Sequence, residues 1–172
     1  MDLIEAIEGR RSVREFKDKE LPKGFLETAV RLGNLAPSAG NLQARDFIIV
    51  KDTPTKKMLA LAAHGQNFVA QAQAVIVVCT NTDRISRYGH RGRELYMFMD
   101  AAAAIENILL YTYSKGLGSC WVGAFNDRAV SDNLKLPDFI KPVALLPIGY
   151  PNEVPPDPGR LSITKLLHDG KW

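Results

Sequence analysis

Three arginines and a serine stand within five residues near the N-terminus, in the run Arg10-Arg11-Ser12-Val13-Arg14. Guanidinium groups bind phosphate through pairs of parallel hydrogen bonds, and a hydroxyl can add a further donor. The run could therefore neutralise and hold a phosphate dianion. The alternative is a solvated basic loop, because acidic residues on both sides of the run cancel much of its positive charge.

A second polar segment, Pro37-Ser38-Ala39-Gly40-Asn41, separates a predicted helix from a predicted strand. Its small residues would let the backbone approach a flat ring. The side-chain amide of Asn41, like that of the nearby Gln43, offers both a donor and an acceptor to the polar edge of such a ring. The alternative is an ordinary turn, because turns are rich in these residue types.

Two further features could take part in ligand binding. The sequence from Gly116 to Gly123 reads GLGSCWVG, and glycine would let backbone amides face a ligand without obstruction. Trp121 in this stretch could pack on a ring or lie in the core. Arg160 follows a proline-rich segment, where it could complete a phosphate site or be a surface arginine.

The pattern of apolar residues predicts the elements that must position these groups. Helical spacing predicts helices from about residue 22 to 35, 52 to 63 and 93 to 115, with a shorter helix after Asn126. Apolar runs predict strands at residues 47–50, 74–80, 119–125 and 142–150. Pro147 removes a donor from the last strand, which we therefore expect at an edge or with a bulge. Mixed elements with irregular connections favour an α+β fold.

The length of 172 residues and a 46% hydrophobic content predict a single domain covering residues 1–172. Residues 151–172 are rich in proline and polar groups, and we expect them to form an extended tail that packs on a partner subunit. A net charge of +3 favours an anionic ligand. It does not favour nucleic acid, because acids interleave with the arginines and no aromatic stacking platform lies among them.

Composition also indicates the cellular compartment. Two cysteines cannot form a disulfide framework, and the N-terminus carries acids where a signal peptide needs an apolar stretch. We therefore expect a soluble cytoplasmic protein without a membrane partner. The three histidines show no metal-ligand spacing, so no metal site is expected. The arginine-rich residues 81–92 are open to two interpretations, a lid that attracts anions or a solvated loop.

Taken in order, the strings RRSVREF, APSAGNLQ, GLGSCWVGAF and GRLSITKLLH resemble the nitroreductase family of flavoproteins. The resemblance extends over nearly the whole chain. It implies an α+β fold with a central, mostly antiparallel sheet of four to five strands flanked by helices. It also implies an intertwined homodimer with one FMN in each of two interface clefts.

The resemblance implies a role for each motif. The residues that would hold the FMN phosphate and ribityl chain are Arg10, Arg11, Ser12, Arg14 and Arg160. The residues that would approach the ring from the partner subunit are Pro37, Ser38, Ala39 and Asn41. A backbone amide near flavin N5 would come from Trp121, Val122 or Gly123, and Gln66 would contact the polar edge of the ring.

One segment departs from the family pattern. Members commonly continue the serine loop with Asn-x-Gln-Pro-Trp, whereas this chain has Asn41-Leu42-Gln43-Ala44-Arg45. The aromatic wall that the tryptophan would give to the cleft is therefore absent.

The implied activity is ping-pong hydride transfer from NADH or NADPH, through flavin N5, to a small acceptor such as a nitroaromatic or a quinone. No catalytic side chain is expected, because the flavin carries the chemistry. Two alternatives share the cofactor. One is a non-catalytic protein that binds and stores FMN, and the other is a flavoenzyme resembling reductive dehalogenases.

Overall fold

A five-stranded sheet forms the centre of the fold in a computed structural model that describes residues 1–172. The strands follow the order β1-β5-β3-β2, and β4 pairs with β5 beside β1. Every strand pair is antiparallel. The strands are β1 (Phe16–Lys17), β2 (Arg45–Val50), β3 (Ala74–Asn81), β4 (Gly118–Ser119) and β5 (Ile140–Pro151). The predicted α+β class and antiparallel sheet are confirmed.

Seven helices surround the sheet. They are α1 (Leu3–Gly9), α2 (Phe25–Asn34), α3 (Thr53–Ala62), α4 (Phe68–Gln71), α5 (Gly89–Arg91), α6 (Met97–Ser114) and α7 (Asp127–Leu134). The side chains of Asp52 and Asn126 cap α3 and α7 by accepting backbone N–H groups at 2.8 and 2.9 Å. A π-helical turn at Gly92–Tyr96 leads into α6, so the regular helix begins later than residue 93. None of the helices combines the length and apolar character needed to span a membrane.

Strand β3 is buried along its whole length, as its continuous apolar run predicts. Alternate side chains point to opposite faces of the sheet, so β3 contributes to two apolar layers. Ile76 and Val78 pack with α2 and α6, whereas Val75 and Val77 pack with α3 and α7. Helices on both faces thus hold the sheet in the interior of the domain.

Helices α2 and α6 approach closely at Gly33. A Cβ placed on Gly33 would lie 2.8 Å from Cγ1 of Ile108 and 3.2 Å from the carbonyl oxygen of Ala104. The alanines at residues 101–104 give α6 only short side chains on this surface, which lets α2 approach closely. A glycine opposite these residues therefore sets the distance between the two helices.

The predicted strand at residues 119–125 is wrong for most of its length. Only Gly118 and Ser119 form a regular strand, and Val122 adds an isolated bridge to Leu145. The reason lies in β5, because Pro147 faces this segment and has no N–H to donate. Its carbonyl accepts the N–H of Cys120 at 3.3 Å, but the ladder cannot continue on both sides of it. The position expected for the last strand is also wrong, because β5 pairs along both edges and has no bulge at Pro147. Its only register shift lies nearer its start, opposite Val78 and Cys79.

We expect Gly33→Val to destabilise the protein by about 1–3 kcal/mol, because the added side chain must force Ile108 and the α6 backbone away. Urea unfolding followed by circular dichroism measures the change. Arg31→Val is the matched control, because Arg31 is exposed on the same helix. Equal stability of the two variants would show that the helix spacing does not depend on Gly33.

Candidate functional site

The N-terminal arginine run is attached directly to the glycine-rich segment. The N–H of Val13 donates to the carbonyl of Ser119 at 3.0 Å, and Ser12 forms a parallel bridge with Ser119. A side chain at position 118 would not fit, because a Cβ on Gly118 would lie 2.9 Å from Val13. Two motifs that are more than a hundred residues apart in the sequence are therefore neighbours in the fold.

The proline-rich tail returns to the same place. The carboxylate of Glu153 accepts hydrogen bonds from the backbone N–H groups of Arg14 and Glu15. A salt bridge of 3.0 Å joins Arg11 to Asp157. These contacts hold the first residues of the tail beside the arginine run and carry Arg160 towards it.

Together these segments form a cleft of about 330 Å3 that is lined by arginine, serine and proline. Its walls consist of four arginines, one serine and three prolines: Arg10, Arg11, Arg14, Arg160, Ser12, Pro155, Pro156 and Pro158. The side chains of Arg14 and Arg160 form no salt bridge, and Arg10 makes only a long one of 3.6 Å to Glu106. Most of the guanidinium donors thus remain available to an anion.

The segment after β4 turns two backbone amides away from the sheet. Val122 exchanges hydrogen bonds with Leu145 at 2.9 and 3.0 Å, so its N–H is already used. Amides on an extended segment alternate in direction, which leaves the N–H groups of Trp121 and Gly123 without a partner in the chain. Both residues are exposed. Of the three predicted positions, these two can therefore offer a donor to a ligand.

Gln66 lies beside this segment. Its side-chain N–H group donates to the carbonyls of Ala63 and Ala124 at 3.0 and 3.2 Å. These bonds fix the orientation of the amide and leave its oxygen as a free acceptor. The structure thus brings Gln66 next to Gly123, although more than fifty residues separate them in the sequence.

Cys120 lies behind the arginine run and is only 3% exposed. Burial raises the pKa of its thiol, and the charge of Arg14 and a hydrogen bond with Ser12 oppose that rise. A protonated and inaccessible thiol is a poor nucleophile. Cys120 thus serves as a small apolar side chain.

The serine loop at residues 37–41 has an uncommon backbone. Gly40, Asn41 and Gln43 all have φ between 51° and 56°, a region that side chains rarely adopt. The hydroxyl of Ser38 accepts the N–H of Gln43 at 3.0 Å. The side chain of Gln43 donates to both oxygens of Asn41 at 3.3 Å. The Ser38 proton and the Asn41 amide group remain free to donate to a ligand.

The arginine-rich residues 81–92 pack against this loop from outside. Arg84 donates to the carbonyls of Gln43 and Arg45 at 3.0 and 2.8 Å, and it forms a 2.7 Å salt bridge with Asp46. Arg87 donates to the carbonyl of Gly40 at 3.3 Å. The two guanidinium groups therefore hold the backbone of the neighbouring loop in place.

None of the hydrogen bonds of the serine loop reaches the arginine run. The structure thus assembles the arginine run, Arg160, the glycine-rich segment and Gln66 around one region of a single chain. The loop that carries Pro37, Ser38, Ala39 and Asn41 lies on a separate part of that chain, beside α2 and the start of α6.

Comparison with known proteins decides the family. The model of the Nitroreductase family matches residues 7–78 and 54–150. The chain belongs to the nitroreductase family. The FMN reductase (NADPH) of Bacillus subtilis is 27% identical, with 98% of this chain and 74% of the relative covered. The oxygen-insensitive NADPH nitroreductase of Salmonella typhimurium is 28% identical with the same coverage.

The fold agrees with this assignment. Nitroreductase A from Vibrio parahaemolyticus superposes with a TM-score of 0.92 at 27% identity, covering 100% of this chain and 77% of that structure. The nitroreductase-like fold expected from the four motifs is therefore confirmed.

Arg45, the last residue of the segment that departs from the family pattern, is only 2% exposed. It donates to the carbonyls of Asn34, Ala36 and Pro37 at 2.9, 2.6 and 3.2 Å. A fourth bond of 3.0 Å reaches the carbonyl of Asp100. Burial lowers the pKa of Arg45, and the charge of Asp100 opposes that change.

Sequence reasoning missed this buried arginine and its partners. An arginine before an apolar strand looks like any solvated surface arginine, so no signal in the sequence indicates its burial. Asp100 and Glu153 likewise carry no signal of their own in the sequence, because one lies within the predicted helix at residues 93–115 and the other in the tail. Their roles depend on contacts with residues far away in the chain.

We expect Arg84→Met to loosen the serine loop, because three hydrogen bonds to residues 43–46 are lost. The loss should reach about 1–3 kcal/mol, towards the lower end because the side chain is 44% exposed. Amide hydrogen exchange of residues 40–46 should accelerate. Arg93→Met is the control, since Arg93 is exposed and forms no salt bridge. Unchanged exchange in both variants would contradict this role.

Proposed function

We propose that this nitroreductase-family chain is an FMN-dependent NAD(P)H oxidoreductase that reduces a small organic acceptor, such as a nitroaromatic or a quinone. The observation that carries the proposal is the arginine-lined cleft beside two unpaired backbone amides. Two relatives support it by name, the FMN reductase (NADPH) of Bacillus subtilis and the NADPH-flavin oxidoreductase of Vibrio harveyi.

The cleft fits the phosphate end of FMN. Four guanidinium groups converge on it, and only two of them are engaged by carboxylates. Charge-assisted bonds to phosphate are about twice as strong as neutral ones, and arginine provides them in pairs. We assign Arg10, Arg11, Arg14 and Arg160 to the phosphate, with Ser12 supplying a hydroxyl between them.

The neighbouring segment fits the ring end. The N–H groups of Trp121 and Gly123 face away from β5, and Gly123 has no side chain to block a planar ring. The free oxygen of Gln66 can accept a hydrogen bond from an N–H group on the ring's polar edge. A reduced flavin carries negative charge, which hydrogen-bond donors in a dry site stabilise.

FMN would supply the reversible acceptance and release of a hydride. The arginine run and Arg160 would bind the phosphate, and the amides of Trp121 and Gly123 would orient the ring, beside the Trp121 side chain, which is 41% exposed. We assign no side chain as a dedicated acid or base, because the flavin itself carries the chemistry. The acceptor and the nicotinamide would use the same open face in turn.

We further propose that the protein is a homodimer whose serine loop completes the flavin site of the partner. The loop lies apart from the arginine run of its own chain. Large apolar side chains are exposed on α1 and near the start of α6, which is typical of a surface that another chain covers. They are Leu3, Ile4, Ile7, Leu95, Phe98 and Met99.

The tail supports the same arrangement. Residues 160–172 are exposed throughout, and they include five large apolar side chains that contact no core of their own chain. These are Leu161, Ile163, Leu166, Leu167 and Trp172. A segment of this composition gains burial only against another surface, and a second copy of the chain provides one.

The proposed activity predicts that the protein binds FMN and that NADH or NADPH bleaches the flavin absorption in the absence of oxygen. Subsequent addition of a quinone or nitroaromatic should restore the absorption. A colourless protein that FMN does not reconstitute would contradict the proposal. A yellow protein that neither nucleotide bleaches would indicate the storage alternative.

For the phosphate site, we expect Arg14→Ala and Arg160→Ala each to weaken FMN binding by about 1.5–3 kcal/mol, since each removes a charge-assisted bond. Fluorescence titration with FMN measures the change. Arg128→Ala on α7 is the control, because that side chain is 91% exposed and lies outside the cleft. Wild-type affinity in both cleft variants would place the phosphate elsewhere.

A further inference from the structure

The serine loop needs an external support for its conformation. Asn41 and Gln43 are not glycines, yet their φ angles are 56° and 51°. Asparagine adopts such angles more readily than most residues, but the longer side chain of Gln43 crowds the backbone there, so its conformation persists only where surrounding contacts impose it. The loop contains a single short helical turn, Ala39–Asn41, which cannot supply that support by itself.

Arg45 provides the support from inside. Its two terminal nitrogens donate to four carbonyl oxygens at 2.6 to 3.2 Å, three of them within residues 34–37. These carbonyls converge on one point, where only a planar group with several donors can satisfy them. A tryptophan at this position would offer one N–H, and a lysine would offer three donors from a single atom.

Asp100 completes the arrangement from α6. Its Oδ1 accepts the N–H of Ala39 at 2.9 Å, and its backbone carbonyl accepts from Arg45. The carboxylate is 5% exposed, and its charge balances that of the buried guanidinium. Oδ2 of Asp100 and Nε of Arg45 have no hydrogen-bond partner. The two side chains therefore interact through their opposite charges and not through a hydrogen bond between them. The loop is thus fixed at residues 34–37 by Arg45 and at residue 39 by Asp100.

The fixed loop presents two donors on its outer side. The Ser38 hydroxyl oxygen accepts the backbone N–H of Gln43, and its proton has no acceptor within the chain. The side chain of Gln43 donates to the backbone oxygen and the side-chain oxygen of Asn41. The side-chain NH2 group of Asn41 has no acceptor within the chain and is free to donate. Displacing the backbone beneath these groups would move both donors together.

We propose that Arg45, together with Asp100, is a positioning residue that holds the serine loop against the flavin ring, in the place of the proline and tryptophan common in the family. The inference depends on the proposed function for the identity of the ligand. It concerns the ring alone, because the phosphate-binding arginines lie on another part of the chain.

A comparison of FMN with riboflavin distinguishes binding of the ring from binding of the phosphate, because riboflavin has the ring and ribityl chain of FMN but no phosphate. We expect Arg45→Met to weaken FMN and riboflavin binding by the same factor, about tenfold or more, measured by fluorescence titration. Arg14→Ala should instead weaken FMN and leave riboflavin affinity nearly unchanged. Arg93→Met is the exposed control and should bind both flavins as the wild type does.

Two milder variants keep the test decisive if Arg45→Met does not fold. Arg45→Lys retains the charge but not the planar fork, and Asp100→Asn retains an acceptor for the Ala39 N–H. Both should lose affinity for the two flavins in parallel, and amide exchange at residues 37–43 should accelerate. Wild-type riboflavin affinity with unchanged exchange in these variants would overturn the inference.

The two hypotheses fail in different ways. If the wild-type protein binds neither flavin, the proposed function is wrong. The exchange rates of residues 37–43 then still decide whether Arg45 fixes the loop. If the wild type binds FMN but Arg45→Lys binds FMN and riboflavin equally well, the positioning role alone is wrong.

Discussion

Strand β5 forms hydrogen bonds along both of its edges, and the two edges have different consequences. One edge pairs continuously with β3 and builds the core of the sheet. The other pairs with three short pieces of chain: β1, β4 and the bridge at Val122. Because each piece is short, the chain leaves the sheet between them. The arginine run, the glycine-rich segment and the beginning of the tail are thereby collected at one place.

Pro147 contributes to this arrangement because it has no N–H to donate to the segment after β4. A full donor set along β5 would allow the segment after β4 to continue as a regular strand. The missing N–H instead leaves one backbone bond at Cys120 and a separate bridge at Val122. The amides of Trp121 and Gly123 alternate with those of Cys120 and Val122 and therefore face away from β5, which is the property that the proposed flavin site requires.

Arginine has three different roles in this chain. Arg10, Arg14 and Arg160 are only lightly engaged and line a polar cleft. Arg45 is buried and organises backbone carbonyls, whereas Arg84 and Arg87 hold the same loop from the surface. Charge alone does not distinguish these roles. Exposure and the number of engaged donors distinguish them, because a buried guanidinium whose terminal nitrogens already bind carbonyls cannot also bind a ligand.

The sequence allowed much of the fold to be predicted. The continuous apolar run of β3 and the helical spacing of α2, α3 and α6 agree with the structure, since local patterns reflect which faces are buried. The strand predicted at residues 119–125 was wrong because its pairing depends on Pro147, on a different strand. No sequence pattern predicts the two-residue β1, because only its pairing with β5 makes it a strand. The predicted site residues remain predictions as flavin contacts, although the cleft that joins Arg160 to Arg10 agrees with them.

In the proposed dimer, one flavin site combines the arginine run of one chain with the serine loop of another. Mixed dimers test this arrangement. They are prepared from a chain with Arg10→Ala and Arg14→Ala and a chain with Ser38→Ala and Asn41→Ala, each with a different affinity tag. If the sites are shared, one of the two sites in every mixed dimer carries no substitution. Such dimers should then bind one FMN tightly and recover NAD(P)H oxidation that neither parent dimer shows. Mixed dimers as inactive as both parents would contradict the account, because both motifs would then belong to the same chain's site.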